Sequence, residues 1–96
     1  MSPVNKAKLN ILRKKLDKLD TNLLSIIKKR SNLVNNVLKL KTNRSEIVDK
    51  KRINLILKKV KIKSVLKKID PKITNRIWKS MIWSFIDYEK RNFKKK

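Results

Sequence analysis

Hydrophobic residues recur along the first 41 residues at alternating steps of three and four, which is the heptad spacing of a coiled-coil helix. The seam positions are Leu9, Leu12, Leu16, Leu19, Leu23, Ile26, Leu33, Val37 and Leu40. A single seam position is polar, and it carries Arg30. Since no Gly or Pro interrupts the pattern, it predicts one helix of about 50 Å from about Lys8 to Lys41, with residues 1–7 as a disordered or frayed tail.

The length of this seam predicts a second copy of the chain. A compact domain of this size has a radius of gyration of only about 13 Å. A 50 Å seam therefore faces water unless a partner covers it. We expect a homodimer.

Polar residues and capping signals divide the rest of the chain into two further helices. Ser45 is a candidate N-cap for a second helix, about Glu46–Lys61. Residues 62–69 alternate almost as a strand does, and the pattern leaves open whether they extend this helix or form a loop. Asp70 followed by proline is a start signal for a third helix, Pro71 to about Phe93. The expected fold is an all-α single domain over residues 1–96, with three helices and a long first one.

Composition excludes several kinds of chemistry. The chain has no Cys and no His, which excludes disulfides, thiolate or imidazole metal sites and catalytic triads built on those residues. We expect no cofactor and no metal. Apolar runs are too short for a signal peptide or a membrane span, so we expect a cytoplasmic protein without a membrane partner.

The net charge of +22 is the strongest compositional feature and would ordinarily suggest nucleic acid. Most basic residues are Lys, however, and they occur beside much Ile and Asn and no Gly, which is the bias of an AT-rich coding sequence. We interpret most Lys side chains as solvated surface and expect no specific nucleic-acid partner. The Arg residues oppose this bias and are better candidates for specific roles; they are Arg13, Arg30, Arg44, Arg52, Arg76 and Arg91.

Charged residues on apolar faces are the candidates for chemistry, because a buried charge requires a partner. Arg30 is either a register-setting residue in the seam or a ligand-binding group. Lys41 follows eleven positions later on nearly the same helical face, and two aligned cations suggest an anionic ligand. Glu89 shares a face with Trp78, Ile82 and Phe85, so it is either an ion-pair partner or a carboxyl group facing the same cavity. Asp49 and Arg52 are either a surface pair or residues at the cavity mouth.

Arg13 adds a geometrical constraint. It lies 17 residues before Arg30, or about 25 Å along one helix, so the two cannot serve one small ligand from the same chain. If two long helices pair antiparallel about an axis near residues 20–27, Arg13 of one subunit reaches the Arg30 and Lys41 groove of the other. Two symmetric sites for a small polyanion follow.

These residues resemble the all-helical (AroQ-type) chorismate mutases over about residues 9–90. The resemblance rests on the order and spacing of LRKKLDKLD, the KKR ending at Arg30, Lys41, the DKKR of the second helix and ITNRIWKSMI of the third. It implies an intertwined antiparallel homodimer that rearranges chorismate to prephenate, a step of aromatic amino-acid biosynthesis. By this resemblance the catalytic residues are Arg30, Lys41 and Glu89, and Arg13 is donated across the interface. Asp49, Arg52, Ile53 and Phe85 match further substrate-binding positions.

Two of these positions depart from the family pattern. Ile53 stands where many mutases have a Glu that holds the substrate hydroxyl, and Phe85 stands where some have Ser. The related isochorismate pyruvate lyases also lack that Glu. A lyase, a homologue that binds without turnover, and a basic helical nucleic-acid binder therefore stay open as alternatives to the mutase.

Overall fold

The computed structural model describes residues 1–95 and is all-helical. Helix α1 is Pro3–Leu40, a short 3₁₀ turn is Arg44–Glu46, α2 is Lys50–Leu66 and α3 is Pro71–Asn92. The expected all-α class with three helices and a long first helix is confirmed. The chain divides into two units, residues 1–33 and residues 34–96. None of the described helices is both long and apolar enough to cross a membrane.

The first unit is helical almost from the N-terminus. Ser2 caps α1, since its hydroxyl accepts a hydrogen bond of 3.2 Å from the backbone N–H of Asn5. Pro3 occupies the first helical position, where its missing N–H costs nothing. The prediction of a tail over residues 1–7 was therefore wrong, because a Ser-Pro start signal precedes the heptad pattern and extends the helix backwards.

The apolar seam of this unit is open to solvent. Six of its side chains are each more than half exposed, namely Leu12, Leu16, Leu19, Leu23, Ile26 and Leu33. A row of large apolar residues of this kind is typical of a surface that another chain covers.

The second unit begins within α1 and continues through a polar turn. The residue expected to cap α2 in this turn was predicted incorrectly. Asp49, not Ser45, caps α2, because its carboxylate accepts a hydrogen bond of 3.0 Å from the backbone N–H of Arg52. The helix therefore begins at Lys50 rather than near Glu46. Glu46 belongs instead to the separate 3₁₀ turn, where its carboxylate accepts hydrogen bonds from the backbone N–H groups of Thr42 and Asn43.

Residues 62–66, left open by the sequence pattern, extend α2. The helix then ends in a Schellman motif, in which the N–H of Ile69 bonds to the carbonyl of Ser64 (2.8 Å) and the N–H of Lys68 to that of Val65 (3.1 Å). Lys68 takes the left-handed position of this motif with φ 58°. Glycine usually occupies that position, and its absence from this chain explains why the end of α2 was hard to locate.

The predicted start of α3 is confirmed. The Asp70 carboxylate accepts a hydrogen bond of 2.9 Å from the backbone N–H of Lys72, and Pro71 follows the cap as the first helical residue. The helix ends at Asn92, next to the expected boundary at Phe93.

The core of the second unit lies where α2 packs against α3. Ile47, just before α2, is buried with Ile82 and Ile86 of α3. Partly buried side chains surround these three, namely Val48, Ile53, Ile56, Leu57 and Phe93. Near the α2–α3 turn the hydroxyls of Ser64 and Thr74 form a buried hydrogen bond of 2.7 Å. The core is small, and it depends on the turn before α2 as much as on the helices.

Lys68→Gly is expected to stabilise the protein. A side chain in the left-handed region costs about 1–2 kcal/mol, and the extra freedom of Gly in the unfolded chain offsets about 0.4–1 kcal/mol of the gain. The free energy of unfolding, measured by urea denaturation, should rise by about 0.5–1 kcal/mol. Lys67→Gly is the matched control because Lys67 has a φ of −87°, and it should give no gain. Equal destabilisation by both variants would contradict the assignment of strain to Lys68.

Candidate active site

Lys41 and Glu89 form a buried ion pair in the second unit. The Lys41 Nζ lies 3.0 Å from Glu89 Oε1, and their side chains are 17% and 7% exposed. Lys41 directly follows α1 and donates its backbone N–H to the carbonyl of Leu38 (3.1 Å). The ion-pair interpretation of Glu89 is thus confirmed, and its partner is the cation that the sequence singled out.

The helical periodicity of α3 explains why this carboxylate is buried. Glu89 lies three residues after Ile86 and seven after Ile82, so all three side chains share one face. Both isoleucines belong to the core. Packing that face against α2 therefore removes Glu89 from water, and the buried carboxylate then requires a cation.

A surface hollow of about 660 Å³ adjoins this pair and brings two predicted residues together, since Lys41 and Asp49 both line it. Val48 supplies an apolar wall, and Lys50 and Lys51 add two cations. Two carboxylates also line the hollow, so it combines three cations, two anions and apolar surface, a mixed lining that can orient a small organic ion.

The remaining candidates of this unit have structural contacts of their own. Asp49 lies outside α2 as its cap, and its recorded bond to Arg52 goes to the backbone N–H. Asp49 is therefore not the in-helix surface pair of Arg52 that the sequence suggested. Ile53 packs on the isoleucine core, and Phe85 is half-buried on α3.

The two arginines of the predicted site belong to the first unit. Arg13 is exposed and Arg30 is half-buried, both within α1. They lie 17 residues apart in one continuous helix, so they are separated by about 25 Å as the sequence predicted.

Glu46 and Thr42 form a further cluster at this site that was not among the sequence candidates. The Glu46 carboxylate accepts hydrogen bonds from the backbone N–H groups of Thr42 (3.1 Å) and Asn43 (2.9 Å) and from the Thr42 hydroxyl (2.9 Å). A signal for this turn was present, because Asn43 followed three residues later by Glu46 is a capping-box pattern. Within residues 1–95, no three or more Asp and Glu side chains are grouped so that they could hold a metal ion.

These features define an all-helical domain with a lysine–carboxylate pair beside a surface hollow lined by charged side chains. The chain belongs to the chorismate mutase type II family, because the sequence model of that family matches residues 12–90. Searches of curated proteins and of solved structures give no significant match. The family resemblance seen in the sequence is confirmed, and the match covers every candidate site residue.

Lys41→Met is expected to destabilise the fold strongly, because it leaves the Glu89 carboxylate buried without its cation. The free energy of unfolding should fall by about 3 kcal/mol, measured by urea denaturation at fixed protein concentration. Asp87→Asn is the matched control. It breaks the Asp87–Arg91 pair of the same helix, whose side chains are 67% and 65% exposed, and should cost under about 0.5 kcal/mol. A similar small loss in both variants would show that the Lys41–Glu89 pair is no more important than a surface contact.

Proposed function

We propose that this chain is a chorismate mutase that converts chorismate to prephenate as a homodimer. The observation that carries the proposal is membership of the chorismate mutase type II family over residues 12–90. The buried pair of Lys41 and Glu89 supports it, because that pair joins two of the residues the family resemblance assigns to the substrate ether oxygen.

The reaction suits a site built from cations and apolar walls. In this Claisen rearrangement the ether C–O bond breaks as a new C–C bond forms within one molecule, with no covalent intermediate and no obligatory proton transfer. Catalysis comes from holding the compact diaxial conformer and from placing donors where negative charge grows on the ether oxygen. The side chains of this site need only bind, orient and donate hydrogen bonds.

Each proposed role is the one that the family resemblance implies, and the chemistry of its side chain suits it. Arg13 of the partner and Arg30 bind the two carboxylates, since a guanidinium can bind a carboxylate bidentately. Lys41 donates to the ether oxygen and to the nearer carboxylate. Glu89 holds the Lys41 ammonium in place beside the ether oxygen. Asp49, which caps α2, and Arg52, in its first turn, match positions that bind substrate in the family.

The exposed seam of α1 supports the homodimer. Burying a Leu or Ile side chain fully is worth about 1.5–3 kcal/mol, and six large apolar seam residues of the first unit are more than half exposed. A second copy provides a complementary seam, and antiparallel pairing brings Arg13 to the site of its partner.

Ile53 favours a second candidate, isochorismate pyruvate lyase. Its side chain has no hydrogen-bonding group for a substrate hydroxyl, and it packs on the isoleucine core. Parallel assays with chorismate and isochorismate separate the two activities, since a lyase releases pyruvate from isochorismate. The net charge of +22 does not favour nucleic-acid binding specifically, because any chain this basic binds DNA in a salt-sensitive way.

The full chain is expected to deplete chorismate, followed by the loss of its ultraviolet absorbance, with formation of prephenate. Arg30→Ala should lower kcat/KM at least about 100-fold, because it removes a charged contact to the substrate, and should leave the dimer intact in size-exclusion chromatography. Arg76→Ala, which alters an exposed Arg of α3 outside the site, is the control and should retain activity. An inactive wild-type chain refutes the mutase proposal, and an Arg30→Ala variant that is fully active but no longer dimeric supports the register-setting interpretation instead.

A further inference from the structure

Glu46 organises the turn that follows the proposed catalytic lysine. One carboxylate oxygen, Oε1, accepts all three hydrogen bonds from Thr42 and Asn43, at 2.9 to 3.1 Å. Two of these donors are the backbone N–H groups of the two residues directly after Lys41. The carboxylate therefore fixes the direction in which the chain leaves α1.

The other end of the same turn is anchored in the core. Ile47, the neighbour of Glu46, is only 3% exposed and packs with Ile82 and Ile86 of α3. Because α3 also carries Glu89, the turn connects the backbone of Lys41 to the helix that holds its ion-pair partner. Glu46 bonds to Thr42 and Asn43 at one end of the turn and directly precedes the buried Ile47 at the other.

Lys41 needs such support because it stands outside regular structure. It comes after the last residue of α1, and its side chain is long and flexible. A backbone that moves at this point would move the ammonium away from Glu89 Oε1, which lies 3.0 Å away.

We propose that Glu46 is a positioning residue for Lys41, and that its carboxylate holds the Thr42–Asn43 backbone so that the ammonium stays aligned with Glu89. The kinetic consequence of this role rests on the proposed mutase function. The structural consequence does not, because it concerns only the turn and the ion pair.

The protonation behaviour of Glu46 agrees with this role. The backbone N–H of Asn43, the Thr42 hydroxyl and the backbone N–H of Thr42, in that order, lower the pKa of Glu46 from its ordinary value, and Lys41 adds a smaller effect. The other charged groups around the hollow are Asp49, Lys50 and Lys51. A lowered pKa means that the stabilisation is present above the ordinary Glu value and is lost as pH falls through the folded-state pKa. Acid should therefore release this turn.

The first test uses hydrogen exchange and lysine labelling and needs no substrate. In Glu46→Ala the amide protons of Thr42 and Asn43 should exchange at least tenfold faster than in the wild type, and Lys41 should react faster with an amine-acylating reagent. Glu46→Gln, which keeps an acceptor oxygen but loses the charge, should be intermediate. Ser45→Ala is the control and should behave as wild type. Circular dichroism checks that each variant is folded. If Glu46→Ala does not fold, the exchange and labelling of Glu46→Gln decide whether Glu46 positions Lys41.

The second test is kinetic. Glu46→Ala should lower kcat about tenfold with a smaller change in KM, because the ammonium is misplaced without loss of a carboxylate contact. The wild type should lose kcat as pH falls through the Glu46 titration, and Glu46→Gln should lack that acid limb. Unchanged exchange at Thr42 and Asn43 together with unchanged Lys41 labelling overturns the positioning role. A wild type that does not turn over chorismate refutes the mutase proposal instead and leaves the exchange and labelling results to judge Glu46.

Discussion

A buried carboxylate has to keep its cation, and this requirement governs the second unit of the chain. Glu89 shares a face with the isoleucines of the core, so folding α3 against α2 takes its carboxylate out of water. Lys41 supplies the charge at 3.0 Å. Since removing one partner of a buried pair is far more costly than breaking a surface pair, the end of α1, the polar turn and α3 are constrained together.

The core that maintains this arrangement is small. Its buried members are Ile47, Ile82 and Ile86, and one of them lies in the turn rather than in a helix. In the first unit, most of the large apolar side chains are more than half exposed. The proposed dimer accounts for both facts, since it buries the seam and adds the apolar contact that a 96-residue chain lacks on its own.

The features predicted correctly from the sequence are those set by local chemistry. The heptad pattern predicted the long α1, and the Asp70–Pro71 signal predicted the start of α3. The predicted starts of α1 and α2 were wrong, because each helix is capped by a residue that was not expected to cap it. Ser2 caps α1 at its early start, and Asp49 rather than Ser45 caps α2, while Glu46 belongs to the 3₁₀ turn before it.

The sequence selects candidate residues for the site, but it does not give their contacts. Helical spacing placed Glu89 on an apolar face and identified Lys41 as a cation, but periodicity carries no information about which residues of different helices meet. The role of Asp49 as a cap became visible only in the folded chain. The joint role of Arg13 and Arg30 stays a prediction, because it depends on the proposed pairing of two chains.

In the proposed homodimer, each site takes Arg13 from one chain and Arg30 from the other. A mixture of the inactive variants Arg13→Ala and Arg30→Ala, unfolded and refolded together, tests it directly. Half of the dimers should then contain one variant chain of each kind, and each of these has one intact site. About a quarter of wild-type chorismate turnover should therefore return on mixing. Activity no higher than the sum of the separate variants, in a mixture shown to contain mixed dimers, would contradict it.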